Sequence, residues 1–182
     1  MVDPRRWFGR RFRRGSLELA MPELEIDLDK DGQVVGAHLA QNTESHQIIE
    51  EFMLLANETV ANHLERLGVP GVYRVHEQPD PRRVAEFAEL AATFGYRFPV
   101  DGVRSSDFQR ISHLLEGKPE EKILTYAMLR SLQRARYASD NLGHFGLASR
   151  SYTHFTSPIR RYPDLVVHRL LHAILERDKE LG

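Results

Sequence analysis

The sequence predicts an α+β fold, mostly helical, with a β-hairpin near 23–39 and a few short strands. Three observations lead there. Apolar and polar residues alternate on both sides of "DKDG". Apolar positions recur every three or four residues over several long segments. Those segments are bounded by capping residues at one end and by glycine at the other.

The elements follow in order. "ELEIDLDKDGQVVGAHL" (23–39) reads as a hairpin turning near Asp31-Gly32. "NTESHQIIEEFMLLANETVANHLERLG" reads as a long helix with Asn42, Thr43 and Ser45 as cap candidates. Its apolar positions are 49, 52, 53, 56, 60, 64 and 67, and Gly68 ends it. "VPGVYRVHEQP" suits a short extended link. "DPRRVAEFAELAATFG" has Asp80 at the N-cap, Pro81 at the first helical position and Gly95 beyond the end. A shorter helix fits 105–117. "KPEEKILTYAMLRSLQRARYAS" reads as a fourth helix, with acids first and arginines last, as the helix dipole favours. "LGHFGLA" is a brief strand or turn, and a fifth helix carries Leu165, Val166, Leu170, Leu171 and Ile174.

With 182 residues, the chain is one domain or a large piece of one. An apolar share of 41% and a charged share of 28% suit a packed core. There is no cysteine, so disulfide partners and thiolate zinc sites are excluded, and a reducing, cytoplasmic location is expected. No apolar run approaches the ~20 residues that cross a bilayer, so no membrane partner is expected. The net charge of −1 hides an asymmetry. Residues 1–14 form a basic segment with six arginines and one acid, and the rest carries −6. Such a segment suits a nucleic-acid arm, a targeting peptide or the edge of a larger domain.

Three motifs imitate sites. Asp27, Asp29, Asp31 and Gly32 resemble the start of a calcium loop, but position twelve is His38 and the flanks alternate like strands. His168 and His172 stand at i, i+4 with Asp164 one turn earlier. Arg169, a cation, follows the first histidine where a metalloprotease has glutamate, so a surface or packing role is preferred. Ser157 lacks a G-x-S-x-G elbow and precedes a proline at a helix start, where capping is the commoner task.

"FTSPIRRYPD" is harder to explain by stability alone. Thr156 or Ser157 caps, and Pro158 suits a first helical position. Arg160 and Arg161 then sit in the first turn, where each opposes the helix dipole by about 0.3–1 kcal/mol. An anion at the helix entrance reverses that sign, because both guanidinium groups and the free backbone donors converge on it. The bland alternative is that the arginines pair with acids elsewhere. Pro163 cannot donate to the carbonyl of Ile159, so this first segment is expected to be distorted or a separate turn. On the long helix, His46, Glu50 and Asn57 share one stripe within about 40°. Glu50 and Asn57 need partners, either internal or from a ligand with hydroxyls such as ribose.

With these features in view, the chain resembles the RNB family of exoribonucleases, which includes ribonuclease II and ribonuclease R. The matching segments are "RGSLELAMPE", "SHQIIEEFMLLANETVANHL", "HFGLASRSYTHFTSPIRRYPDLVVHRLL" and, more loosely, "GVYRVHEQPDP". They cover about residues 10–178 in the family's order. The resemblance implies a processive 3′-to-5′ hydrolase that shortens single-stranded RNA to nucleoside 5′-monophosphates with Mg²⁺. It assigns Arg160 to the phosphodiester being cut, as the catalytic residue, and Glu50 to the terminal nucleotide. Arg161, Thr156 and Ser157 are further RNA-binding candidates from their neighbourhood.

The chain also departs from the family pattern. The family's metal-binding aspartates belong to a segment ahead of this one, and "DLDKDG" does not replace them, so no metal ligand is expected in this chain. Leu17 and Leu19 stand near where the family has a base-clamping aromatic. Flanking RNA-binding domains and a helix following residue 182 are not represented. Residues 15–182 therefore read as the C-terminal part of an RNB catalytic domain, truncated at both ends and inactive alone. The alternatives are a non-catalytic, stand-alone RNA-binding module and, more remotely, a helical DNA-binding protein. Oligomeric state is not legible.

Overall fold

The computed structural model describes residues 13–17, 24–40 and 43–181, the side chains of 178–181 excepted. Most of the basic segment 1–14, the hairpin residue Glu23, Leu19 and the cap candidate Asn42 lie outside the described residues.

The described residues form five helices and two small antiparallel ribbons, in agreement with the α+β expectation. The first ribbon is the hairpin β1 (Leu24–Leu28) and β2 (Val34–Leu39). Its turn is set by Asp29, whose Oδ1 accepts from the N–H groups of Asp31 and Gln33, while Gly32 takes φ 78°. The calcium-like acids are thus turn and strand residues. Asp27 Oδ2 and Glu25 Oε2 both reach the His38 ring, at 3.1 and 3.2 Å. Among the described residues no group of three His, Asp or Glu side chains is placed to hold a metal ion.

Helix α1 (Glu44–Arg66) is capped by Thr43, whose Oγ1 accepts from the His46 N–H, while the His46 ring reaches back to the Thr43 N–H. Its buried residues are Asn57, Ala61 and Leu64. Ile49 and Phe52 on the expected apolar stripe are 68% and 66% exposed, because packing partners gather on the C-terminal half. The second ribbon pairs β3 (Tyr73–Val75) with β4 (Arg136–Ala138). Tyr73 and Val75 pack on Ala61 to form a small core.

Helices α2 (Pro81–Thr93), α3 (Ser105–Leu115) and α4 (Glu121–Ser131) enclose the larger core. Asp80 caps α2 through the Arg82 N–H, with Pro81 at the first position, as expected. Phe87, Phe98, Phe108 and Phe145 form a ring cluster at its centre, and Phe108, Leu115, Leu124 and Met128 are fully buried. Each such side chain contributes about 1.5–3 kcal/mol by burial.

The expected fourth helix is too long. It ends at Ser131, whose Oγ bonds the Met128 carbonyl, and 136–138 become β4. Helical patterning there yields to pairing with β3 and to the ion pair between Arg136 and Glu77. "LGHFGLA" contains a short 3₁₀ turn, Phe145–Leu147, tied to the β3 end by one bridge between His144 and His76. Gly146 has a reason here: its N–H donates to His76 Nδ1 at 2.9 Å, and an added Cβ would lie 2.8 Å from that nitrogen. The chain then runs past Arg74, whose N–H donates to the Tyr152 carbonyl, and into α5 (Tyr162–Leu181). No helix is long and apolar enough to cross a membrane among the described residues.

Candidate functional site

The helix does not start at Pro158. Residues 158–160 form a separate turn in which the N–H groups of Arg160 and Arg161 both point to the Ser157 carbonyl, at 3.3 and 3.1 Å. Helix α5 begins at Tyr162, with Pro163 second, where a missing N–H costs nothing. Pro163 therefore separates turn from helix, as its chemistry predicts, and the cap expected from Thr156 or Ser157 is displaced.

Asp164, third in the helix, closes this turn. It is completely buried. Its Oδ1 accepts from the Ser157 N–H at 2.8 Å and from Arg161 Nη2 at 2.9 Å. One carboxylate thus binds both ends of the 157–161 loop, and its own charge suits the helix N-terminus. Arg161 is consumed in this pairing, with 21% of its side chain exposed. The expectation that both arginines face an incoming anion therefore fails for Arg161. Arg160 remains: it is exposed and makes no ion pair with any described residue. Ile159 and Tyr162 beside it are 102% and 71% exposed. The turn thus presents one guanidinium that no described carboxylate neutralises.

The segment entering the turn is equally well held. Asn57 is buried on α1. Its Oδ1 accepts from the Phe155 N–H at 3.0 Å and its Nδ2 donates to the Tyr152 hydroxyl at 2.9 Å. The ring of His168 stacks on Phe155 at 4.2 Å, and its Nε2 lies 2.8 Å from the Phe155 carbonyl. His172 pairs with Glu176. Asp164, His168 and His172 thus have separate packing partners, which explains their spacing without a metal. Asn57 proves to be a structural member of the His46–Glu50–Asn57 stripe. Glu50 lies two turns earlier on the same helix and is half-buried. Thr156 is half-buried, and its Oγ1 is sealed from solvent.

His154, just before Phe155, has its pKa lowered to about 4, first by burial and then by the charge of Arg161. His144 is lowered to about 3, chiefly by burial, with His76 and Arg74 adding repulsion. Both rings are neutral at pH 7. Sequence reading missed the tasks of Asp164, Tyr152 and His154. The spacing of Asp164 three residues after Arg161 is the signal that could have revealed the first.

Residues 6–177 match the family model described as RNB domain. The chain is 43% identical over 171 residues to ribonuclease R of Aquifex aeolicus, covering 93% of this chain and 24% of that protein. Its fold is similar to Mycoplasma genitalium RNase R in complex with double-stranded RNA, with a TM-score of 0.86 and 33% identity over 92% of this chain and 30% of that one. The same RNase R in complex with ribose methylated single-stranded RNA gives a TM-score of 0.85 at 33% identity, covering 92% of this chain and 27% of that one. The chain thus spans about a quarter of the length of these relatives.

Proposed function

The chain belongs to the RNB domain family, and from that premise we propose that it is part of a 3′-to-5′ exoribonuclease acting on single-stranded RNA. In this reading the whole enzyme is a cytoplasmic hydrolase that releases nucleoside 5′-monophosphates, and residues 15–182 are part of its catalytic domain. The observation that carries it is the turn at 157–161, where Asp164 occupies Arg161 and leaves Arg160 exposed.

Arg160 is the proposed catalytic residue. Its guanidinium holds the phosphodiester and offsets charge developing on the phosphate oxygens, the electrostatic work that dominates phosphoryl transfer. Glu50 and Ser157 complete the proposed RNA-contacting neighbourhood, while Arg161, braced on Asp164, and Thr156, whose hydroxyl is sealed from solvent, shape the turn and do not touch RNA. Phosphodiester hydrolysis of this type uses Mg²⁺, but the described residues do not fit that ion, because no cluster of carboxylates is available to it. The chain supplies phosphate positioning, and no hydrolytic step is assigned to it alone. A non-catalytic RNA-binding module is the second reading, favoured by that same lack of ligands among the described residues.

Two assays on the pure chain test the proposal. A labelled single-stranded oligoribonucleotide with Mg²⁺ is expected to stay intact, and progressive shortening would contradict this. Binding of the same oligonucleotide is expected to weaken with salt, and Arg160→Ala is expected to flatten the slope of log K against log salt by about 0.7. An unchanged slope would remove Arg160 from the phosphate.

A further inference from the structure

The outward face of the β3–β4 ribbon is not used by the turn. Tyr73 and Val75 point into the small core, so Arg74 between them points away from it. Tyr137 is the cross-strand partner of Arg74, and the two side chains share that face. The Arg74 guanidinium lies 4.9 Å from the centroid of the Tyr137 ring. The Tyr137 hydroxyl is 2.7 Å from Nδ1 of His154, while the residue stays 39% exposed. His154 in turn feels the charges of Arg161, Arg74 and Arg160, partly offset by the Asp164 carboxylate. One surface therefore carries a pinned aromatic ring, a neutral imidazole and a guanidinium, and it adjoins the turn that presents Arg160.

That chemistry suits an unstacked base. Every base has a π-face, and aromatic rings interleaved with arginines bind single strands without reading sequence. Tyr137 is already held by two contacts, so little ordering entropy is left to lose on binding. We infer that Arg74, Tyr137 and His154 form a base-stacking subsite for one nucleotide of single-stranded RNA, beside the phosphate assigned to Arg160. The inference rests on the RNA reading of the turn and adds a second contact point to it.

Fluorescence anisotropy with a 12-mer of oligoadenylate, and with an abasic oligomer of the same length, tests it. Tyr137→Ala is expected to weaken oligoadenylate binding by about 5- to 150-fold, the loss of one base stack. Its salt slope is expected to stay that of the wild type, because no phosphate contact goes. Tyr137→Trp is expected to bind within about threefold of wild type, and the abasic oligomer to bind wild type and Tyr137→Ala alike. Tyr137→Leu keeps bulk without a π-face and must show the same loss, which guards against a folding defect in the alanine variant. If Tyr137→Ala and Tyr137→Leu bind normally while Arg160→Ala is weakened, the subsite is overturned and the phosphate site stands. Weakening by both Tyr137 variants with Arg160→Ala unaffected supports the subsite and removes the role of Arg160. A folded chain that binds neither oligomer overturns both. An equal loss on the abasic oligomer overturns base stacking.

Discussion

Arg160 and Arg161 are adjacent and chemically identical, yet the fold pairs Arg161 with Asp164 and leaves Arg160 exposed. The pair was conspicuous in the sequence because two cations at a helix entrance are unfavourable without an anion. Which cation is free was not legible, since that depends on a buried carboxylate three residues later meeting one guanidinium and the Ser157 N–H. The histidines show the same limit. No pattern in the sequence marks His144 and His154, but burial holds them neutral, at pKa values of about 3 and about 4 against 6.5 when free. The unfolded chain therefore takes up protons first as pH falls, and the stability they contribute is complete above about pH 6.5. It declines from there to about 4 for His154 and to about 3 for His144. Melting points are expected to fall between pH 7 and pH 4.5, with each kcal/mol lost appearing as about 2–4 °C. His144→Gln removes one of the titrations and is expected to flatten that profile. An identical profile would contradict the assignment.

At the scale of elements, most boundaries were legible because local chemistry sets them. Asp80-Pro81 starts α2 as its types dictate, and Asp29 with Gly32 makes the hairpin turn. The failures lie where distant partners decide. Residues 136–138 carry a helical pattern and become a strand, because Arg74 and Tyr137 pair across more than sixty positions. The start of α5 was half legible: Pro163 announced a break, but Asp164 as the residue closing the turn did not stand out. Asp164→Ala is expected to cost about 3 kcal/mol, since it leaves a largely buried guanidinium and a backbone N–H without their acceptor. Asp164→Asn keeps an acceptor for Ser157 and is expected to cost less. Urea midpoints at constant m-value measure both, and equal losses would show that the charge, not the hydrogen bond to Ser157, is what counts. In the larger core, Phe108→Ala is expected to cost about 3–5 kcal/mol by the same measurement, because its ring meets Phe98 and Phe145 and is fully buried.

Across the whole molecule, the described residues bury two cores and leave one element bare. Leu24, Ile26 and Leu39 share a hairpin face and are 67%, 62% and 57% exposed. A native chain with this face open is expected to bind an apolar dye such as ANS, and Ile26→Thr is expected to reduce the signal without lowering the melting point. No reduction would place the dye elsewhere. The sequence alternation correctly showed the hairpin and its two faces, but not whether the apolar one is covered, because burial belongs to partners and not to patterning. The proposed function reduces to a division of labour at one turn: Asp164 holds Arg161, and Arg160, left exposed, is the group proposed to meet RNA. Arginine side-chain NMR on the isotope-labelled chain, titrated with oligoadenylate, observes both guanidinium groups at once. The Nε–Hε signal of Arg160 is expected to shift on binding while that of Arg161 stays in place. A shift at Arg161 with Arg160 unmoved would contradict it.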